Sequence, residues 1–445
     1  MLNAVSAHRF IGFLLTLGLL AGLGMAWLVR DAPLAPGLAH GLLRADALGA
    51  LFAVVTAGMA LAELGAGRAD SPARLLVVAG LLAAAYLSGH LGVMAGLFAL
   101  AGFVRVSGRQ PAAALPMALP LICLALGVAS MGIQAGEWRY GEPGAGAGLN
   151  SGAFALLLLA ALLGGGLLAL VDGRDVGPAR QLDPLLGPAM LYPLLRLDSL
   201  GPWNLGWLAA ALLLGGAAAL WAAWRAATDD LGRAGVWLPR YMIGLALAGA
   251  GLGSGAGLAL AAFALLSMPL VTLGLSAAAG RPRPWPLWSL CTAAPCGAPF
   301  VLAWVGVAAA TAGRVPALTL ALWAAALLAA VPVARLAASG WGEGPWWPQD
   351  TRLLLAAGLS AALGMGAPLA LALLVRPMVS QLAGGLSPMG EIALWPWAGL
   401  IALDSARQPV ASLPTLAMAG LMIILAAIAW IGTRLISWRD RRDEG

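Results

Sequence analysis

Two adjacent stretches, VWLPRYMIGLALAGAGL at Val236 to Leu252 and GAGLALAAFALLSMPLVTLGLSAAA at Gly255 to Ala279, decide the fold class. The second has no Asp, Glu, Lys or Arg, and each is close to the roughly 20 residues a helix needs to cross about 30 Å of hydrocarbon. Neither shows the period-2 alternation of a barrel strand. Lipid offers no partner for a backbone N–H or C=O, so a continuous apolar run of this length reads as a spanning helix that satisfies its own backbone. The joint between them, Gly253-Ser254, leaves room only for a tight hairpin.

The rest of the 445-residue chain repeats the pattern. It is 61% hydrophobic and 10% charged, with a mean hydropathy of +0.90, too few charges to cover a water-soluble domain of that size. Apolar runs fall at about Phe10 to Val29, Ala45 to Leu64, Leu75 to Ser88, His90 to Val106, Ala113 to Gly132, Ser151 to Val171, Leu185 to Leu195 and Leu205 to Ala227. After the opening pair, further runs cover Leu287 to Ala310, Pro316 to Ala338, Leu353 to Val375, Ile392 to Leu403 and Ala411 to Ile436. The chain therefore reads as an all-α, polytopic transmembrane bundle of about 12–15 helices. The least defined runs are the pair from Leu75 to Val106, with its short Gly-His joint, and the short runs starting at Leu185 and Ile392. Connecting loops such as Gly141 to Gly152 and Gly340 to Asp350 are short and rich in Gly and Pro, which excludes a sizeable domain outside the membrane.

Charge narrows the function classes. All 25 basic residues are arginine, since the chain contains no lysine; high-GC codon usage and loss of a lysine-dependent function both account for this. The net charge of +6 reads as loops facing anionic lipid, and no nucleic-acid partner is expected. Arg434, Arg439, Arg441 and Arg442 favour a cytoplasmic C-terminus. Trp138, Trp203, Trp341, Trp346 and Trp347 sit at run ends, where indoles favour the headgroup level. Cys123, Cys291 and Cys296 lack metal-knuckle spacing and read as small core residues. No cofactor, metal centre or paired catalytic carboxylates can be placed, so a catalytic role for this chain is not expected. His90 is the best single titratable candidate, although a histidine at a helix end is the more ordinary reading. Glu63, Glu391 and Asp404 fall near run ends, where they are solvated or paired with arginines. The glycines from Gly249 to Gly257 follow no strand and read as close helix packing, not a nucleotide loop.

Prolines mark a broken helix. Pro184, Pro188 and Pro193 crowd one short run that ends in Tyr192-Pro193-Leu194-Leu195-Arg196, and each proline removes a backbone hydrogen bond. Such breaks line ion or substrate sites in some membrane proteins and are only structural kinks in others; both readings stay open. Gly366 to Pro377 echoes the pattern, with an early proline and a late arginine, as two inverted repeats with one broken helix each would. This suggests a single membrane domain with N-terminal helices at 1–110, a first repeat at 111–235, a second at 236–403, and a C-terminal helix with a basic tail at 404–445.

Four motifs then carry a family resemblance. The loop and helix from Asp230 through Leu231 and Arg233 to Gly244, and the next helix with Leu265, Leu266, Ala278 and Gly280, are similar to a loop-and-helix pair of the antiporter-like proton-translocating subunits. That family serves respiratory complex I, membrane-bound hydrogenases and multi-subunit cation/proton antiporters. Leu43 to Leu48 (Leu-Arg-Ala-Asp-Ala-Leu) resembles its early Arg-x-Asp-x-Leu, and Tyr192 to Arg196 its Tyr-x-Leu-Leu-Arg. The resemblance spans roughly Leu43 to Gly280 in the family's order. It implies an antiporter-like membrane subunit of a complex-I-like or membrane-hydrogenase-like assembly in the bacterial inner membrane, with other membrane subunits and lipid as partners.

The departures are chemical. The resemblance places the family's lysines at Pro188 and Thr272, and its histidine and asparagine at Met268 and Ser267; its glutamate has no acidic counterpart between His90 and Phe103. Hosting a charge at the bilayer centre is costly, and a proton relay needs titratable or hydrated groups there. The resemblance thus implies a structural or coupling subunit with a depleted proton path, in which Tyr192, Arg196, Asp230, Arg233, His90, Pro188 and Thr272 are the residues to locate. A stand-alone secondary transporter using the broken helices as its site is the alternative. An enzyme acting on lipid-linked substrates is disfavoured by the short loops.

Overall fold

The computed structural model describes residues 2–31, 43–65, 71–107, 111–135, 151–167, 183–196, 204–229, 231–279, 316–339 and 370–382, strands between 392 and 413, and single positions at 359, 424, 428 and 431–432. The architecture is an all-α membrane bundle. Its elements are α1 (Leu2–Leu28), α2 (Ala47–Gly65), α3 (Pro72–Tyr86), α4 (Leu91–Val106), α5 (Pro111–Ala135), α6 (Ser151–Gly164), α7 (Leu186–Ala189), α8 (Leu191–Arg196), α9 (Leu205–Thr228), α10 (Leu231–Gly251), α11 (Gly255–Ala279) and α12 (Pro316–Ser339). A π-helical turn (Leu371–Val375) leads into α13 (Arg376–Leu382). Four helices among the described residues are long and apolar enough to cross a membrane, at Phe10–Leu28, Ala47–Gly65, Leu205–Thr228 and Gly255–Leu273.

Their surroundings differ. Phe10, Phe13, Leu20 and Trp27 on α1, and Leu205 and Leu213 on α9, are exposed on the bundle's outside, whereas α2 and α11 are almost wholly buried. A helix apolar on every side belongs in the core of such a bundle. α2 is the central post: α1, α3, α11 and α13 all pack on it.

Sequence punctuation explains the boundaries. Ser71 caps α3 through the Arg74 N–H, with Pro72 at the first helical position. Asn204 Oδ1 accepts from the Trp207 N–H at 2.9 Å to start α9. The joint between α3 and α4 is a real break: Ser88 pairs with Leu43 in an isolated bridge, the Arg44 N–H donates to the Leu87 carbonyl at 2.8 Å, and His90 caps α4. The hairpin between α10 and α11 turns at Gly253, whose φ of +56° suits glycine.

Glycines let α9, α10 and α11 approach backbone to backbone. A Cβ at Gly215 would lie 2.4 Å from the Ala248 nitrogen, one at Gly251 2.3 Å from the Leu212 nitrogen, and one at Gly257 2.2 Å from the Gly249 carbonyl oxygen. Small residues at helix interfaces permit this closeness, which is how apolar helices associate without a hydrophobic driving force between them.

One feature departs from the expectations. The run Ile392 to Leu403 is not a helix; β1 (Ile392–Trp395), β2 (Gly399–Leu403) and β3 (Pro409–Leu413) form an antiparallel meander in that order, with an irregularity between Ala402 and Leu403. Twelve apolar residues are too few to span as a helix, and Pro396 and Gly399 favour a turn. The echo stretch ending at Pro377 contains the π-helical turn. Pro377 has no N–H to bond the Leu373 carbonyl, and the turn before it widens. Trp138, Trp203, Trp341, Trp346, Trp347, Cys291, Cys296, Glu391, Asp404 and the C-terminal arginines lie outside the described residues.

Candidate functional site

The broken helix is where the sequence-derived residues meet. α7 and α8 are separated only by Met190, and every residue from Leu186 to Arg196 is buried, Pro188 included. Segments of four and six residues do not hold themselves as helices, because the nucleation cost exceeds what one turn of hydrogen bonds returns. Their order comes from what grips their ends.

At the α8 end, Arg196 reaches the N-terminus of α2. Its Nη1 donates to Asp46 Oδ2 and its Nη2 to Asp46 Oδ1 at 3.0 Å, a two-pronged pair that buries both side chains. Asp46 Oδ1 also accepts from the Gly49 N–H at 2.8 Å, and Arg44 stands 3.9 Å from Oδ2. Arg196 donates to the Tyr192 hydroxyl, which donates to the Tyr86 carbonyl at 2.9 Å. The Tyr86 hydroxyl pairs with Thr56 Oγ1 at 3.0 Å. Phe52, Tyr86, Phe98 and Tyr192 pack ring against ring here, with the Tyr86 and Tyr192 centroids 4.8 Å apart. The chain segments joined are up to 150 residues apart in sequence.

At the α7 end a second cluster forms. Arg105, in the last turn of α4, donates from Nε to Asp183 at 2.7 Å and from Nη2 to Glu63 at 2.6 Å, and all three side chains are buried. The other oxygen of Asp183 accepts from the Leu185 and Leu186 N–H groups at 3.1 Å, starting α7. Glu63 is thus paired with arginine, as one of the two sequence alternatives has it, and it is buried where the other would leave it solvated. Asp46 and Glu63 sit at opposite ends of α2, about 25 Å apart along its axis. Between them Thr56 is the only α2 side chain with an N or O atom.

The remaining candidates are scattered. His90 is a helix cap: its Nδ1 accepts from the Gly92 and Val93 N–H groups at 3.1 and 3.4 Å. A ring nitrogen that caps two backbone N–H groups has a structural role. Arg233 lies exposed in the first turn of α10, and Asp230 lies outside the described residues. Its neighbour Asp229 accepts from Trp237 Nε1 at 2.8 Å and pairs with Arg225 at 3.2 Å. Thr272 is buried on α11, and on the same helix Ser267 Oγ donates back to the Phe263 carbonyl at 2.7 Å. Neither side chain can carry a charge.

Sequence reading missed Asp46, Arg105, Asp183 and Arg240 as site residues. Asp46 lies in the Leu43 to Leu48 motif, and Arg196 ends another of the four motifs, which was the one signal that could have joined them. Arg240 is fully buried near the middle of α10, its guanidinium 4.8 Å from the Trp237 ring centre and facing Gly166, whose φ is +64°. A guanidinium stays protonated and does not pass a proton on. No group of three or more His, Cys, Asp or Glu side chains suited to a metal ion occurs among the described residues.

No known protein-family profile and no curated protein matches this sequence. Solved structures do. A chain of the Mrp complex from a Dietzia species superposes with a TM-score of 0.67 at 18% identity, covering 96% of this chain and 57% of that one. A chain of the membrane-bound sulfane sulfur reductase, an archaeal respiratory membrane complex, gives 0.62 at 16% identity, covering 94% of this chain and 83% of that one. A chain of respiratory complex I from Thermus thermophilus, solved with bound NADH, gives 0.60 at 17%, covering 85% and 96%. The fold is theirs. It is the fold the sequence motifs implied, and this chain spans little more than half the length of the Mrp chain it matches.

Proposed function

We propose that this chain is a divergent antiporter-like membrane subunit of a complex-I-like or membrane-hydrogenase-like assembly in a bacterial inner membrane, with a structural or coupling role. One observation carries the reading. The fold follows chains of three multi-subunit membrane complexes, while the helices that the resemblance equips with lysines hold Pro188 and Thr272 instead. Among the described residues, α2 between Asp46 and Glu63 and the whole of α11 hold no ionisable side chain, which suits sealing, docking or transmission better than proton transfer. The division into N-terminal helices, two repeats and a C-terminal helix belongs to the same proposal; the π turn before Pro377 supports a second interrupted helix.

The alternative, a stand-alone transporter with its site on the broken helices, needs those helices to face a substrate space. The burial of every residue from Leu186 to Arg196 counts against it. The deciding experiment is extraction in mild detergent followed by mass analysis of what co-elutes. The proposal expects other membrane subunits in fixed ratio. A homogeneous monomer that transports a solute in liposomes would overturn it.

A further inference from the structure

We propose that α2 and the broken helix α7–α8 form a transmembrane strut, each end locked by its own buried ion cluster, so that the broken helix is a fixed part of the scaffold and not a moving gate. The geometry is antiparallel and two-ended. Asp46 at the start of α2 holds Arg196 at the end of α8, and Glu63 near the end of α2 holds Asp183 before α7 through Arg105. The strut is independent of whether the chain sits in a larger assembly.

Three further observations point the same way. The prolines at 184, 188 and 193 withhold three backbone N–H groups from this stretch, so its helical turns depend on side chains for their position. Asp183 and Tyr192 supply that, the first by capping Leu185 and Leu186, the second by bonding the Tyr86 carbonyl. At the Asp46 end the strut is joined to the C-terminal half: Gln381 on α13 accepts from the Ala47 N–H at 2.8 Å and donates to the Val29 carbonyl at 2.7 Å. One amide thus ties the last turn of α1, the first residue of α2 and a helix more than 330 residues away. Ion pairs buried in apolar surroundings open rarely, because separating them strands charges where no water can take them up.

Hydrogen exchange read by mass spectrometry on the full chain in lipid nanodiscs tests the strut. In the wild type, the amides of Leu185 to Met190 and of Leu191 to Arg196 exchange as slowly as those of α2. Asp46→Asn speeds exchange roughly ten-fold or more at Leu191 to Arg196 and leaves Leu185 to Met190 unchanged; Glu63→Gln does the reverse. Amides of α9 and α10, which carry none of the named residues of either cluster, stay as they were. Tyr192→Phe, which keeps the ring and loses only the hydroxyl, gives a smaller rise at the α8 end and covers the case in which a charge variant does not fold. The strut is overturned if the wild-type stubs exchange about ten-fold or more faster than α2. It is equally overturned if no variant changes either stub, or if one charge variant loosens both stubs together.

Discussion

Two regions of this bundle fix their helices by opposite means. Around α2 and α7–α8, helix ends are tied by buried charges: Asp46 with Arg196, and Arg105 with Glu63 and Asp183. In the α9–α10–α11 block, contact is made by absence, with glycines at 215, 251 and 257 letting backbones meet. The first arrangement is specific but costly, since charges are taken out of water and must be repaid by good geometry. At those three glycines the contact is backbone against backbone, with no charged side chain taking part. The difference matters for function: α11, where the resemblance would have a lysine, carries no charged residue, while the buried Asp46–Arg196 and Glu63–Arg105–Asp183 clusters stand at the ends of α2.

Substitutions sharpen the contrast, and the largest effect belongs to the charged region. Arg105→Ala leaves two buried carboxylates beside one another and is expected to lower stability by about 3–5 kcal/mol, measured by denaturant or SDS unfolding in micelles. Next comes the glycine block. Gly251→Leu drives a side chain into the α9 backbone and should cost about 1–3 kcal/mol by the same measurement, with the packing of α7–α8 intact. Gln381→Ala removes two bonds to helix-terminal backbone groups and is expected to cost about 1 kcal/mol. Smallest is Thr56→Val, which deletes the hydroxyl pair with Tyr86; hydrogen bonds between membrane helices average about 0.6 kcal/mol. If Gly251→Leu proved harsher than Arg105→Ala, the assignment of the charge clusters as the main ties would fail.

The sequence made the helical class plain because run length and the absence of charge report directly on lipid. The break at α7–α8 was legible in three prolines, and Tyr192 and Arg196 in a motif. The pairing of Arg196 with Asp46 was only hinted at by their two motifs, because nothing in a local pattern brings together residues 150 positions apart. Asp183 and Arg105 were invisible for the same reason. They lie at the margins of apolar runs, where solvated and buried charges look alike. The meander at β1–β3 was misread because apolar composition without adequate length does not separate a short helix from paired strands. Asp229, whose contacts with Arg225 and Trp237 are described, matched no motif position and so drew no attention.

The proposed depletion of the proton path rests on three helices among the described residues: α2 offers only Thr56 between its two ionic ends, α11 holds Thr272 and Ser267, and the charge near the middle of α10 is the guanidinium of Arg240. Proton flux into liposomes carrying the purified chain under an imposed pH gradient tests this most directly. The account predicts flux equal to that of protein-free liposomes. Protein-dependent flux that Asp46→Asn or Glu63→Gln abolishes would contradict it.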